Sequence, residues 1–356
     1  RMAERTGQTE GSRMHTALGL SGADECAVDF EYLEAGFVCV DEFSMVDMRL
    51  VFEFFRHLVK GVRILCIGDA DQLPSVGPGE VFRELIDCGL MPVTMLDLVY
   101  RQAEHIRIYE NAQGIKNNSG ALVEGEDFQI LDCHGSEEAA SLVEKVFRQE
   151  LQGRTVEDVQ VLTPYRKRGA ASVNELNQVL REVVNPSDSQ RRTMTVAGKK
   201  FREGDKILQT KNRNEVSNGD SGKILKFYKD EEGEKKAKLL FSENRELIYS
   251  SEQMEEVELS YATTVHKSQG SEYPIVILPW LKGFYTMLKR PILYTAVTRA
   301  KEKLIIIGER PAIYQAIRAD NRGKRNTLLA KRIVEEYRLA TGAGQKAKYE
   351  QLELAI

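Results

Sequence analysis

The chain has 356 residues, of which 42% are hydrophobic and 29% charged, and its formal net charge is −4. This length is enough for two or three domains with apolar cores, and the composition predicts a globular protein. The small acidic excess argues against an indiscriminate polyanion binder, although a local basic groove can exist on an acidic protein.

The cysteines and the hydropathy predict a cytoplasmic protein. No CxxC or Cys/His pairing of metal-ligand spacing occurs, so we interpret the cysteines as reduced thiols. They are Cys26, Cys39, Cys66, Cys88 and Cys133. No apolar stretch approaches the roughly 18 residues of a membrane helix, and no signal peptide is recognisable. The chain starts at Arg1 rather than Met, so we expect an excised piece of a longer protein.

Two apolar runs in the first third of the chain end in acidic residues. Val38–Val40 is followed by Asp41 and Glu42, and Arg63–Ile67 is followed by Gly68 and Asp69. Apolar residues recur at helical spacing between the runs, which predicts a strand, a helix and a parallel strand covered on both faces. Ser44 or Asp47 can cap this helix.

The two acids after the first strand fit a magnesium nucleotide site. Ligands of open α/β sheets bind beyond the carboxyl ends of the strands. There Asp41 would hold Mg²⁺ through an oxygen, and Glu42 would polarise an attacking water. The alternative is a strand that simply enters a solvated loop.

The next segments continue the α/β pattern. A loop rich in Pro and Gly spans residues 71–79, and we expect Pro78 to open a helix that closes near Gly89. Residues 93–99 form another apolar run. A second α/β unit follows, with strands at Val159–Thr163, Ile275–Trp280 and Lys303–Gly308.

Residues 198–258 interrupt this second unit. They contain short alternating runs separated by Asn-Gly, Asp and Gly turns, which are typical of antiparallel strands. Lys206–Thr210, Gly222–Tyr228, Ala237–Phe241 and Glu246–Tyr249 are the expected strands. The pattern predicts a small barrel inserted into an α/β domain.

Strand-end motifs in a fixed order give the chain its family resemblance. They are Asp41-Glu42, Gly68–Pro74, Tyr100-Arg101-Gln102, Thr263–Tyr273 (TTVHKSQGSEY) and Leu293–Lys301 (LYTAVTRAK). Their joint occurrence resembles the RecD-like group of superfamily 1 DNA helicases, which includes the exonuclease V alpha subunit. The resemblance covers nearly the entire chain.

The resemblance implies an α/β fold of two RecA-like parallel-sheet motor domains with an inserted SH3-like β-barrel. The first motor domain would span residues 1–98 and be truncated at its N-terminus. The second would span 99–197 and 259–342, the barrel 198–258, and a tail 343–356.

The resemblance also assigns roles around the nucleotide, with ATP and Mg²⁺ as cofactors. Gln72 would sense the γ-phosphate, and Arg101 and Arg299 would approach it, Arg299 like an arginine finger. Guanidinium suits this task because it is always charged and bidentate. Gly270 and Glu272 would contact the nucleotide, Glu272 at the ribose. The alternative for each arginine is a surface ion pair.

A further set of residues is expected on DNA. The resemblance directs Thr264 and His266 to the DNA backbone, in a segment that includes Lys267, and His15-Thr16 resembles the end of an early DNA-contacting motif. Tyr165 and Arg166 could also meet phosphates. A buried structural histidine remains the alternative for His266, and solvated surface for Tyr165 and Arg166.

The sequence departs from the family in two places. No GxxxxGK[ST] phosphate loop occurs, so we expect it upstream of Arg1 and expect these 356 residues alone to hydrolyse ATP poorly. The acidic segment Ala23–Glu34 stands where relatives carry a strand-separating hairpin.

The function implied is ATP-driven unwinding with 5′ to 3′ movement along single-stranded DNA, in repair or recombination. Single-stranded and duplex DNA would be the partners, RecB- and RecC-like subunits are further candidates, and no membrane is expected. The rivals are the helicase part of a conjugative relaxase and a non-enzymatic DNA-binding or docking module.

Overall fold

The computed structural model describes residues 12–20, 31–96, 106–119, 121–189, 191–213, 215–319, 325 and 327–341. Arg101, most of the acidic segment 23–34 and the tail 343–356 lie outside these ranges. The chain divides into two units, residues 1–100 with 322–356 and residues 101–321.

The first unit contains the predicted strand, helix and parallel strand. Its elements are α1 (Met14–Ala17), β1 (Phe37–Val40), α2 (Met48–Arg56), β2 (Arg63–Cys66) and α3 (Val81–Asp87). β1 and β2 pair in parallel, with Val40 opposite Cys66. Asp47 caps α2, because its Oδ1 accepts hydrogen bonds from Arg49 N at 3.0 Å and Leu50 N at 2.8 Å.

Two local expectations for this unit were wrong. The strands are not covered on both faces, since Ile64 and Leu65 are 37% and 45% exposed. Pro78 does not open α3. Its carbonyl accepts a hydrogen bond from Met48 N at 2.9 Å, so it belongs to a loop held against α2. Of the third apolar run, the described residues 93–96 lie in no helix or strand.

The second unit contains an α/β body and an inserted barrel. Its elements in chain order are α4 (Ile106–Lys116), β3 (Phe128–Asp132), α5 (Gly135–Glu150), β4 (Val159–Thr163), α6 (Val173–Val184), β5 (Thr193–Val196), β6 (Lys199–Arg202), β7 (Lys206–Gln209), β8 (Ser221–Lys229), β9 (Lys235–Phe241), β10 (Arg245–Ser250), β11 (Val257–Leu259), β12 (Ala262–Thr264), β13 (Tyr273–Trp280), α7 (Arg290–Val297), β14 (Ala300–Gly308) and α8 (Arg310–Arg318).

The α/β body of the second unit is built on a parallel sheet of order β12-β4-β13-β14-β3. β4 is buried throughout, and β13 and β14 each contain a buried apolar run, at residues 275–280 and 304–307, as expected for strands covered on both faces. Gly308 ends β14 beside Trp280, and a Cβ at this position would lie 2.0 Å from the Trp280 carbonyl oxygen. Only glycine therefore permits this close approach of the two strands.

The predicted barrel is present as an antiparallel sheet of order β10-β9-β8-β7-β11. Alternate residues of β9 point inward, so Ala237, Leu239 and Phe241 are buried in the barrel core. The insertion begins earlier than residue 198, because Met194 of the β5–β6 hairpin packs into the same core. The turn of this hairpin is Ala197-Gly198, both with positive φ, so the glycine taken as the start of the insertion lies within its first hairpin.

The last described helix, α9 (Leu329–Thr341), belongs to the first unit. Leu329 packs with the core of that unit, and Glu84 Oε2 accepts hydrogen bonds from Ala330 N at 2.9 Å and Thr327 Oγ1 at 3.1 Å. The prediction that the second motor domain extends to residue 342 is therefore wrong at this helix. A polar amphipathic helix does not reveal its partner in sequence.

Two general expectations can be compared with the described residues. Cys39, Cys66, Cys88 and Cys133 are free thiols, and burial raises the pKa of Cys66 and Cys133 to about 11. Among the residues described here, no helix has the length and apolar character required to span a membrane.

Candidate nucleotide and DNA site

The carboxyl ends of β1 and β2 lie side by side and present the predicted acids together. Phe43 N donates to Ile67 O at 2.8 Å, and Ile67 N donates to Val40 O at 2.8 Å. Between them, Glu42 adopts a left-handed conformation with φ of 53°, and Asp41 Oδ1 accepts a hydrogen bond from Glu42 N at 2.9 Å. A non-glycine residue in this region is uncommon and recurs at functional sites.

Gly68 allows this tight arrangement. A Cβ there would lie 3.0 Å from Ser44 N and 3.2 Å from Phe43 N, so a side chain would push the two strand ends apart. Asp69 follows, and its carboxylate accepts hydrogen bonds from Asp71 N at 2.9 Å and Gln72 Nε2 at 3.4 Å. The structure thus brings Asp41, Glu42 and Gln72 to the same end of the two-stranded sheet.

The acids at this end are suited to a magnesium nucleotide. Among the described residues, no three His, Cys, Asp or Glu side chains converge as a preformed metal site. Mg²⁺ is commonly held by one or two carboxylates together with substrate phosphates, so a single Asp such as Asp41 fits this chemistry. The hydroxyl of Ser44, in the turn that follows Glu42, is buried without a hydrogen-bond partner in the described part of the chain.

An arginine far along the chain holds the loop after Gln72. Arg325 donates from Nη1 to Gly79 O at 2.7 Å and to Gly77 O, and from Nη2 to Ser75 O at 2.6 Å. The Pro- and Gly-rich loop forms no helix or strand, so its backbone carbonyls need other hydrogen-bond donors. One guanidinium group carries several donors and can bind several of these carbonyls at once. Sequence reasoning missed Arg325, because nothing near it marks a site.

Replacing Arg325 by Ala should loosen the loop at residues 73–79. We expect amide hydrogen exchange in this loop to accelerate by about tenfold or more, because three carbonyls lose their charged donor, a loss of about 1.5–3 kcal/mol for each such bond. Arg325→Lys should show an intermediate rate, and Arg332→Ala on α9 is the matched control. Unchanged loop exchange in Arg325→Ala would exclude the clamp.

The segment Thr264–Lys267 begins at the last residue of β12, an edge strand in the second unit. Asn177 of α6 brackets this strand, since its Nδ2 donates to Ala262 O and its Oδ1 accepts from Ala262 N, both at 2.9 Å. The buried amide thereby satisfies the free edge of β12 and fixes the turn that follows. In this turn Lys267 N donates to Thr264 Oγ1 at 3.2 Å.

His266 is half-buried in this turn. Burial, and secondarily the charge of Lys289, hold its pKa below the usual value. The imidazole is therefore neutral at neutral pH and offers one N–H donor rather than a positive charge. A neutral donor remains compatible with the predicted backbone contact.

Arg299 lies beside the residues predicted to bind nucleotide in this unit. It is 5% exposed, donating from Nη1 to Ser271 O at 2.9 Å and from Nε to Thr295 O at 3.2 Å. The structure thus brings Arg299 to the segment that contains Gly270 and Glu272. Glu272 pairs with Lys301 at 3.2 Å.

The remaining predicted residues lie in three places. Tyr165 is buried, packs on Phe284 with ring centroids 4.9 Å apart and hydrogen-bonds Thr286. Its side chain is therefore packed inside the unit and is not the solvated surface residue of the alternative interpretation. His15 and Thr16 lie on α1 of the first unit, half-buried and exposed respectively. Arg166 and Lys267 both contact Glu258, which sequence reasoning left unassigned.

Comparison with known proteins identifies three family matches in chain order. Residues 1–140 match an AAA domain family, residues 176–241 the SH3 domain of ATP-dependent RecD-like DNA helicases, and residues 259–307 the UvrD-like helicase C-terminal domain. The SH3 match spans most of the observed barrel.

Two curated relatives align along most of the chain. The chain is 32% identical to the ATP-dependent RecD2 DNA helicase of Deinococcus radiodurans, over 94% of this chain and 44% of that protein. It is 26% identical to the RecBCD enzyme subunit RecD of Mycobacterium tuberculosis, over 88% of this chain and 56% of that subunit. The chain spans about half the length of these relatives.

One solved structure supports the fold. The crystal structure of Pif1 helicase from Bacteroides in complex with ADP-AlF3 and ssDNA superimposes with a TM-score of 0.52, at 17% identity, covering 88% of this chain and 81% of that one. The three domain families occur in the same order as in the predicted architecture, and together with the two relatives they confirm the resemblance to RecD-like helicases.

Proposed function

We propose that the protein is an ATP-dependent DNA helicase that moves 5′ to 3′ along single-stranded DNA, in repair or recombination. The observation that carries the proposal is the convergence of Asp41, Glu42 and Gln72 at the ends of paired parallel strands in a RecD-like chain. Ligand sites of open parallel sheets lie at such strand ends.

Each residue has a distinct role in this proposal. Mg²⁺-bound ATP, when present, supplies the phosphoryl group and its leaving group. Asp41 holds the metal and Glu42 orients and polarises the attacking water, while Gln72 hydrogen-bonds the γ-phosphate. Arg299 and Arg101 neutralise negative charge that develops on the transferred group, and Gly270 and Glu272 contact the nucleotide.

The 356 residues contain no GxxxxGK[ST], and backbone N–H groups of that loop normally cradle the β- and γ-phosphates. We therefore include in the proposal that the phosphate loop lies outside these residues and that the 356-residue chain alone has little ATPase activity.

DNA binding by these 356 residues gives the proposal its simplest test. Thr264, His266, Lys267 and Arg166, together with His15 and Thr16, are the proposed contacts to the DNA backbone. We expect the purified chain to bind labelled oligothymidylate. The affinity should fall as the salt concentration rises, because the lysine and arginine side chains that bind phosphate release counterions from the DNA, and this release is less favourable at high salt. Absence of salt-dependent binding would contradict the DNA-binding part of the proposal.

The proposal also covers the binding partners of the protein and its location in the cell. Duplex DNA at the junction ahead of the motor, and RecB- and RecC-like subunits, are the candidate partners, and the free thiols fit the reducing cytoplasm. Among the rivals, a docking module without catalysis would need neither Glu42 nor Gln72 at the strand ends. A relaxase would carry a tyrosine nuclease domain in addition.

A further inference from the structure

Glu258 is the centre of a group of cations that comes from three separate elements. Its carboxylate pairs with Lys267 Nζ at 3.0 Å, with Lys199 Nζ at 3.7 Å and with the guanidinium of Arg166. Arg166 follows β4, Lys199 begins the hairpin strand β6, and Lys267 lies in the turn after β12. We refer to these four residues as the Glu258 cluster.

The acid lies beneath the cations. The Glu258 side chain is 20% exposed, whereas those of Arg166, Lys199 and Lys267 are 52%, 43% and 28% exposed. The charged heads therefore face solvent around a carboxylate set lower in the surface. Three cations against one carboxylate leave an excess of two positive charges at this spot.

The Glu258 carboxylate is ionised at neutral pH. Burial raises the pKa of Glu258, but the hydrogen bond from Lys267 and the charges of Lys267 and Arg166 outweigh burial and hold the pKa below its usual range. Long lysine and arginine side chains otherwise sample many rotamers, and fixing them costs entropy. A shared counter-ion gathers them before any ligand arrives.

We propose that the Glu258 cluster is a phosphate-binding subsite for single-stranded DNA, in which Lys199 is a third DNA-contacting cation and Glu258 is a resident counter-ion that an arriving phosphate partly replaces. The proposal deepens the proposed DNA binding by Arg166 and Lys267 and rests on it. Glu258 acts through the cations and is a positioning residue.

The geometry connects this subsite to the barrel. Glu258 lies on β11, the last strand of the barrel, and Lys199 Nζ also reaches Val257 O at 3.4 Å. Arg166 and Lys267 instead follow strands of the parallel sheet. A DNA phosphate that binds all three cations therefore contacts side chains from the barrel and from the parallel sheet of the second unit at the same time.

Salt dependence separates a counter-ion from a purely structural ion pair. For single strands, the logarithm of affinity falls with the logarithm of salt concentration by about 0.7 for each cation that contacts phosphate. Glu258→Gln keeps the shape and removes the competing charge, so we expect binding of oligothymidylate about fivefold tighter at low salt and a slope steeper by about 0.7. Lys199→Ala should weaken binding and make the slope shallower by about the same amount.

Two surface positions of the barrel supply matched controls. Glu246 on β10 pairs with Lys238, so Glu246→Gln removes an acid from a barrel ion pair outside the cluster. Lys229 at the end of β8 is exposed, so Lys229→Ala removes a cation outside the cluster. We expect both controls to leave affinity and slope at the wild-type values, and thermal unfolding should confirm that all four variants are folded.

The outcomes distinguish this inference from the proposed function. If the wild-type chain binds no single-stranded DNA, both fail. Suppose instead that the wild type binds, but Glu258→Gln behaves as Glu246→Gln or binds more weakly with a lower melting temperature. The ion pairs of the Glu258 cluster then only stabilise the fold, and this inference alone is overturned. Tighter, more salt-sensitive binding by Glu258→Gln together with the opposite change in Lys199→Ala supports it.

Discussion

Glu42→Gln should reduce ATP turnover in the complete protein by about 10²–10⁴-fold while leaving nucleotide affinity close to that of the wild type. Correctly placed general acid or base groups contribute rate factors of this size. Glutamine has the same side-chain length as Glu42 and the same energetic cost in the left-handed backbone conformation, but it cannot accept the proton of an attacking water. Single-turnover hydrolysis and equilibrium binding of a fluorescent ATP analogue would measure the two quantities separately.

The matched control for this variant is Glu53→Gln. Glu53 lies on α2 of the same unit and pairs with Arg56 at 3.1 Å, away from the strand ends. We expect its turnover to equal that of the wild type. If Glu42→Gln also retained full turnover, the role given to Glu42 would be refuted, and loss of nucleotide affinity in place of turnover would assign it to binding instead.

Arg299→Ala should lower turnover by about a thousandfold, the low end of what arginine fingers contribute. Because Arg299 also holds the carbonyl of Ser271 next to Gly270 and Glu272, we expect nucleotide affinity to fall as well, by less than about tenfold. Arg299→Lys keeps the charge but not the planar fork, and should recover only a small part of the rate. Steady-state hydrolysis over a range of ATP concentrations separates kcat from KM.

Arg310→Ala is the control for Arg299, because Arg310 is a more exposed arginine of the same unit that pairs with Asp132 and Glu124. Melting temperatures show whether a variant has lost activity by unfolding. A folded Arg299→Ala protein with near-normal kcat would contradict the catalytic role of Arg299. Arg299 would then only hold together the two backbone segments that it hydrogen-bonds.

The elements that were predicted best are those whose signal is local. β4 is buried throughout, β13 and the second half of β14 are apolar runs, and the barrel strand β9 alternates with a period of two, so burial and pattern agree. The errors arose where distant contacts decide the structure. Pro78 lies in a loop held against α2, and α9 returns to the first unit through Glu84 and Leu329.

The predicted site divides in the same way. Asp41, Glu42 and Gln72 follow strands directly, so the rule that parallel strands end at one edge of a sheet brings them together without knowledge of the fold. Arg325 and Glu258 could not be found in this way. Arg325 contacts Ser75, 250 positions away, and Glu258 contacts Arg166, 92 positions away, and neither lies in a recognisable pattern.

ATP-driven unwinding of tailed duplexes by the complete protein would show whether it is a helicase that moves 5′ to 3′. We expect the labelled strand to be displaced when the duplex carries a 5′ single-stranded tail, displacement to require Mg²⁺ and ATP, and Glu42→Gln to lose it. Equal unwinding by Glu42→Gln and wild type, or DNA binding with no ATP-dependent displacement from either tail, would contradict this expectation.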